Sequence, residues 1–406
     1  MKNDHSIDLR QGSGLALVAT LFQVALLYAC SGFRYLKGVH WDGVWYFNIL
    51  TNGYRTEFPP QIVGAEGSFS NVGFFPAYPV LSAILKKVLF LHDPAVALLI
   101  TSQLCTFLFW LGFFILLMQA GVPIKRMVLA AVFCLVQPGA FFFAAAYSES
   151  LLMGSFLWFV IFFMKSSEQN KYFVLTAVAG MLLTATKLVG SVLSISFVFT
   201  YLGILWAQKF TSGVTLLTRK VVVRSLLILM FSALGLVSFL AFCEIKFDAW
   251  NLYWITVKEG WHVKILWENV LQFSRIYNPA EFIFRVDHSE WVGRLVLLGH
   301  PVLFGICTWA LYRLRKTRHF NHFFALYVAT LMLAVATWVG RTNKDFYEFT
   351  RYFYGVTTLL VLVITPSSFL SKPPIWIKGF YCLCCTVLLG IQLFLAYRFS
   401  HGFWVG

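Results

Sequence analysis

The chain has 406 residues, of which 59% are apolar and only 12% charged. A soluble domain carries about 25% charged residues, so a water-facing globular surface is excluded and a lipid-facing one is implied. The net charge of +15 does not indicate nucleic acid, because much of the basic charge falls in short loops between apolar runs, where the positive-inside rule puts it.

The first ten residues are polar. The apolar run after them, at 12–32, is longer than a signal-peptide core and has no clear small-residue cleavage site, so it reads as a retained first span. Further runs of spanning length fall near 94–118, 127–147, 150–164, 172–190, 191–207, 224–244, 292–312, 322–340, 351–365 and 375–397. The runs at 150–164 and 351–365 are short. Those at 172–190 and 191–207 are nearly continuous and read as one hairpin or as a helix broken around Gly190. The fold class is therefore an all-α polytopic membrane protein of about eleven transmembrane helices, a single domain over residues 1–406 with no internal repeat.

Orientation follows from the loops. Lys125 and Arg126, Lys165 and Lys171, Lys209 with Arg219, Lys220 and Arg224, Arg313 with Arg315, Lys316 and Arg318, and Lys372 with Lys378 all fall inside if the N-terminus is inside. The C-terminus is then outside. Two external segments, 33–93 and about 245–291, are too long to be connectors. Both are aromatic-rich and suit amphipathic helices lying in the outer interface, with 53–72 as a mobile loop between the helices of the first. The eight cysteines fall in or beside apolar runs and read as packing, without a disulfide framework or metal-ligand spacing. No Asn-x-Ser/Thr sequon occurs, in keeping with the cytoplasmic membrane of a bacterium.

Chemistry-bearing residues gather on the outer side. His40-Trp41-Asp42 follows the first span at once; Asp42 is either the N-cap of a helix over 43–52 or a carboxylate poised as a base in a low-dielectric setting. Phe74-Phe75-Pro76-Ala77-Tyr78-Pro79 forbids a continuing helix and reads as a rigid turn or as a wall of the site. Pro138-Gly139 should kink or end the third span. Beyond it, Ser148 can cap the fourth, while Tyr147, Ser148 and Glu149 share Asp42's side. Lys187, at the outer end of a span, either snorkels or pairs with a lipid phosphate or with Glu149. Arg341, Lys344 and Arg351, the last followed by Tyr352, set basic charge outside, against the general trend, as either a solvated loop or a phosphate contact.

His40-Trp41-Asp42, Phe74 through Pro79 and Pro138 through Ser150, in this order, resemble the PIG-V family over residues 12 to about 190, and more loosely to Arg351-Tyr352. Its eukaryotic members are glycosylphosphatidylinositol mannosyltransferases of the GT-C superfamily, multi-helix membrane enzymes that use lipid-phosphate sugars. The resemblance implies a GT-C-like bundle with Asp42 as the catalytic carboxylate and Tyr147, Ser148 and Glu149 lining the same cavity.

The function expected is transfer of a hexose, mannose by the resemblance, from a polyprenyl-phosphate donor to a glycan, lipid or protein acceptor at the outer face, with inversion. His40, Trp41, Tyr147, Ser148, Glu149, Lys187, Arg351 and Tyr352 are the candidate binding residues. Lys187 and Arg351 are the candidates for holding the phosphate. No metal or other cofactor is called for, since no paired-carboxylate or His-rich cluster lies outside. The rivals are a transporter or lipid flippase, which needs midplane charges and related halves, and a non-catalytic relative that binds a lipid phosphate.

Overall fold

The computed structural model describes residues 9–56, 70–212, 217–260, 288–317, 319–339, 348–367 and 375–403. Among them the regular structure is helical throughout. Each of the eleven apolar runs carries a helix: α1 (Leu9–Cys30), α4 (Pro94–Gln119), α5 (Ile124–Leu135), α6 (Glu149–Ser166), α7 (Asn170–Thr184), α8 (Val189–Ser212), α9 (Arg219–Phe247), α11 (His288–Leu314), α12 (Phe320–Val339), α13 (Glu348–Ile364) and α14 (Ile375–Ser400). Seven among the described residues are long and apolar enough to cross a membrane. The chain is an integral multi-pass membrane protein.

Two helices in the first external segment, α2 (Asp42–Asn52) and α3 (Ala77–Val88), lie where interfacial helices were expected. On α3, Tyr78 and Ser82 are fully buried while Val80, Ile84 and Val88 are more than half exposed, an apolar stripe at four-residue spacing suited to lipid. Pro79 does not stop this helix, as the double-proline reading expected. It sits in the first turn, where no intrahelical N–H partner is needed. The intervening polar stretch lies outside the described residues at 57–69, and its ends are tied: Asn71 Oδ1 accepts from Arg55 N at 2.9 Å and Ser70 Oγ donates to Arg55 O at 2.7 Å. In the second external segment a short α10 (Leu252–Ile255) is described, while Trp261 and Trp267 lie outside the described residues, as do Arg341 and Lys344.

The fifth and sixth runs form a hairpin. Phe156 and Phe163 of α6 meet Phe197 of α8, and Phe163 also meets Tyr201, so these two helices run parallel with α7 antiparallel between them in sequence. Lipid tails give helices no hydrophobic reason to associate, so close backbone approach matters. A Cβ on Gly180 would sit 1.9 Å from Ser232 Oγ of α9, and one on Gly235 of α9 2.1 Å from Met181 O of α7.

The third run is not one helix. α5 ends at Leu135, and residues 136–148 continue as irregular chain around a 3-10 turn, Ala140–Phe143, with residues 139–148 fully enclosed. Irregular backbone at membrane depth survives only when protein satisfies it. Here Gln23 Nε2 of α1 donates to Ala140 O at 2.8 Å, and Thr106 Oγ1 of α4 donates to Phe143 O at 2.7 Å. Ser102 Oγ donates to Tyr147 O at 3.0 Å, and Ala146 N donates to Gly38 O at 3.0 Å. Trp110 Nε1 in turn fixes Gln23 through its Oε1 at 2.8 Å.

Candidate active site

The irregular segment delivers Tyr147, Ser148 and Glu149 to one end of the bundle, where α2, the α7–α8 turn and the start of α13 also arrive. Asp42 opens α2, but its carboxylate does not cap that helix: Trp41 is the N-cap and no side chain closes it. Asp42 Oδ2 instead accepts from Arg351 Nη1 at 2.8 Å. Trp41 is held at φ 52°, a left-handed conformation that costs a bulky residue about 1–3 kcal/mol and recurs at functional sites.

Arg351 is 3% exposed, and its guanidinium lies over the rings of Tyr352 at 4.5 Å, Tyr147 at 5.2 Å and Phe142 at 6.0 Å. It also donates to the Tyr352 hydroxyl. Its Nε is 3.3 Å from Glu149 Oε1, within ion-pair reach but outside hydrogen-bond geometry. The same carboxylate oxygen accepts from Lys187 Nζ at 2.7 Å, and that ammonium lies 5.0 Å above the Tyr352 ring. Lys187 therefore pairs with Glu149 rather than snorkelling.

Ser148 does not cap α6 as the sequence suggested. It accepts from the Tyr46 hydroxyl at 2.8 Å. Burial, then the charges of Glu149 and Asp42, raise the Tyr46 phenol's pKa, which keeps it a donor. Tyr46 stands one turn after Asp42 on α2, and Gly43 between them lets the helix approach closely, since a Cβ there would be 3.2 Å from Ala146 O. Tyr46 closes the sequence motif that begins at His40 but was given no role there, although its four-residue spacing from Asp42 was a usable signal.

Phe399 of α14 is a second residue missed. It packs 5.8 Å from the Tyr147 ring and 5.6 Å from His40, whose imidazole is lowered in pKa by burial against an opposing backbone bond at Ser400. His40 Nε2, Glu149 Oε2 and Thr350 Oγ1 are buried without a hydrogen-bond partner. Buried polar atoms are normally satisfied, so such a cluster fits a place that takes a polar ligand. Among the described residues no group of three His, Cys, Asp or Glu side chains could hold a metal ion.

No protein-family model and no curated protein matches the chain, so the PIG-V resemblance rests on its motifs alone. Solved structures do match. The oligosaccharyltransferase of Archaeoglobus fulgidus, in its apo form, superposes with a TM-score of 0.55 at 14% identity over 97% of this chain. The same archaeal protein, AglB, in complex with an inhibitory peptide and a dolichol-phosphate, gives 0.51 at 14% identity over 98% of this chain. The fold is GT-C-like. In both cases the chain spans 56% of the oligosaccharyltransferase's length, and at this identity the likeness concerns the fold.

Proposed function

We propose that the chain is a GT-C-type glycosyltransferase that moves a hexose, mannose by the motif resemblance, from a polyprenyl-phosphate donor to an acceptor hydroxyl at the outer membrane face of a bacterial cell. The observation that carries this is the chain of charge Asp42–Arg351–Glu149–Lys187 at one end of the bundle, its two middle members buried. Ionisable groups gathered at the ends of apolar spans, where an unpaired charge is disfavoured, mark functional sites, and Arg and Lys together suit a phosphate. Dolichol-phosphate bound to the archaeal oligosaccharyltransferase supports a lipid phosphate as the donor's leaving group.

In this reading Arg351 and Lys187 hold the phosphate, while Tyr147, Ser148 and Glu149 line the cavity beside it. His40, Trp41 and Tyr352 complete the surround. Asp42 takes the proton from the acceptor hydroxyl as its oxygen attacks the anomeric carbon from the face opposite the phosphate. The bond to the phosphate breaks in the same displacement, so the anomer inverts.

The test is sugar transfer by purified Asp42→Asn protein. General-base catalysis is worth about 10²–10⁴-fold, so turnover should fall by at least about a hundredfold with folding intact. Transfer near the wild-type rate would remove Asp42 as the base.

A further inference from the structure

Arg351 serves two carboxylates and Glu149 serves two cations, so Lys187, Glu149, Arg351 and Asp42 form one chain of alternating charge. Two cations and two carboxylates sum to zero. A phosphate entering the chain adds negative charge in a place of low dielectric, and one carboxylate must give way.

The two carboxylates are not equally held. The Glu149 side chain is 7% exposed and is engaged by both cations. Both carboxylates open a helix, Asp42 α2 and Glu149 α6, so the helix dipole favours each alike and the difference lies in their partners. The Asp42 side chain is 19% exposed and touches Arg351 through one oxygen on one nitrogen, without the two-pronged geometry that makes arginine–carboxylate pairs strong. It also stands on a short helix of 11 residues.

We propose that Arg351 holds Asp42 in reserve until a lipid-linked phosphate takes its place, so that donor binding itself frees the base. The proposal rests on the donor-site reading above. With Oδ2 on the guanidinium only Oδ1 remains to receive the acceptor's hydroxyl, and release leaves the whole carboxylate to it, so the acceptor reacts best once the donor has bound. Glu149 does not touch the reacting atoms. It is a positioning residue that keeps Arg351 and Lys187 at one spacing and neutralises them while the site is empty.

The experiment titrates undecaprenyl phosphate into the full-length protein in detergent, with undecaprenol and inorganic phosphate as separate arms. Asp42→Asn and Glu149→Gln each remove an anion that competes for Arg351, so each should bind undecaprenyl phosphate about tenfold more tightly than wild type while turning over more slowly. Lys187→Gln should bind it more weakly. A merely structural role for Glu149 would lower affinity along with turnover. If wild type binds undecaprenyl phosphate but Asp42→Asn binds it no more tightly, the reserve is overturned and the donor site stands. If wild type does not distinguish undecaprenyl phosphate from undecaprenol, the donor site fails and the reserve with it. A gain reproduced by inorganic phosphate supports the exchange and assigns it to the phosphate group rather than the lipid. Should Glu149→Gln not fold, Asp42→Asn decides the matter, because that side chain is part-exposed and its replacement leaves α2 uncapped as before.

Discussion

Asp42 and Arg351 are 309 positions apart in the chain, and their side chains meet at 2.8 Å. Each was visible in the sequence as a charge at the end of a span, where an unpaired charge is disfavoured. That they are partners was not visible, because neither residue's surroundings in the chain contain the other. Arg351→Gln leaves Asp42 unpaired and removes one of Glu149's two cations. Breaking a buried pair costs about 3–5 kcal/mol, so this variant should lose both thermal stability and donor affinity, whereas Lys187→Gln should lose affinity with a smaller drop in Tm. Comparing melting curves with a donor titration checks both; an Arg351→Gln protein of wild-type stability would contradict the ion-pair geometry. Tyr46→Phe removes the hydrogen bond to Ser148, worth about 1 kcal/mol. It should lower kcat severalfold through a looser Asp42 while leaving donor affinity unchanged, and an unchanged kcat would mean that Tyr46 only fills space.

Segment 136–148 does for the site what no regular helix could. The broken chain brings Tyr147 under the Arg351 guanidinium and Ser148 to the Tyr46 hydroxyl, and lets α6 begin at Glu149. Pro138-Gly139 announced the break, and the sequence reading took it as a kink or an end. It could not show why glycine is needed: a Cβ at Gly139 would lie 2.2 Å from Thr350 O, the residue next to Arg351. Gly139→Ala should push α13 away, costing about 1–3 kcal/mol in strain and most of the activity through a displaced Arg351. Gly203, inside α8 with nothing within 4 Å, is the control: Gly203→Ala should be neutral or raise Tm slightly. Equal losses for the two, read by melting and transfer assays, would sink the packing argument. The capping readings of Asp42 and Ser148 failed for one reason. Both side chains had a stronger partner from a remote element, and a cap is only the best use of an oxygen when nothing better is in reach.

At the scale of the whole bundle, the site gathers at one end, and Arg126 and Arg224 close the other, donating to Ser367 O at 3.1 Å and Ser166 O at 2.7 Å. By the positive-inside pattern the second end is the one expected to face the cytoplasm. In a background without reactive native thiols, Asn52→Cys, exposed at the site's end, should react with an impermeant thiol reagent in intact cells, and Glu168→Cys only after permeabilisation. The reverse pattern would place the site inside and remove the outer-face reading. The sequence by itself determined the membrane class and located a helix on each of the eleven apolar runs, because hydrocarbon admits only apolar runs and these stand out in the chain. It also marked Asp42, Glu149, Lys187 and Arg351, since a charge at the edge of an apolar run stands out wherever it occurs. Only the tertiary structure decided that these four share one neutral chain, that α7 and α8 turn back on each other, and that Tyr46 and Phe399 stand beside them. Those facts depend on contacts between distant segments, and in a protein this apolar the local pattern that builds each helix is much the same whichever neighbour it finally meets.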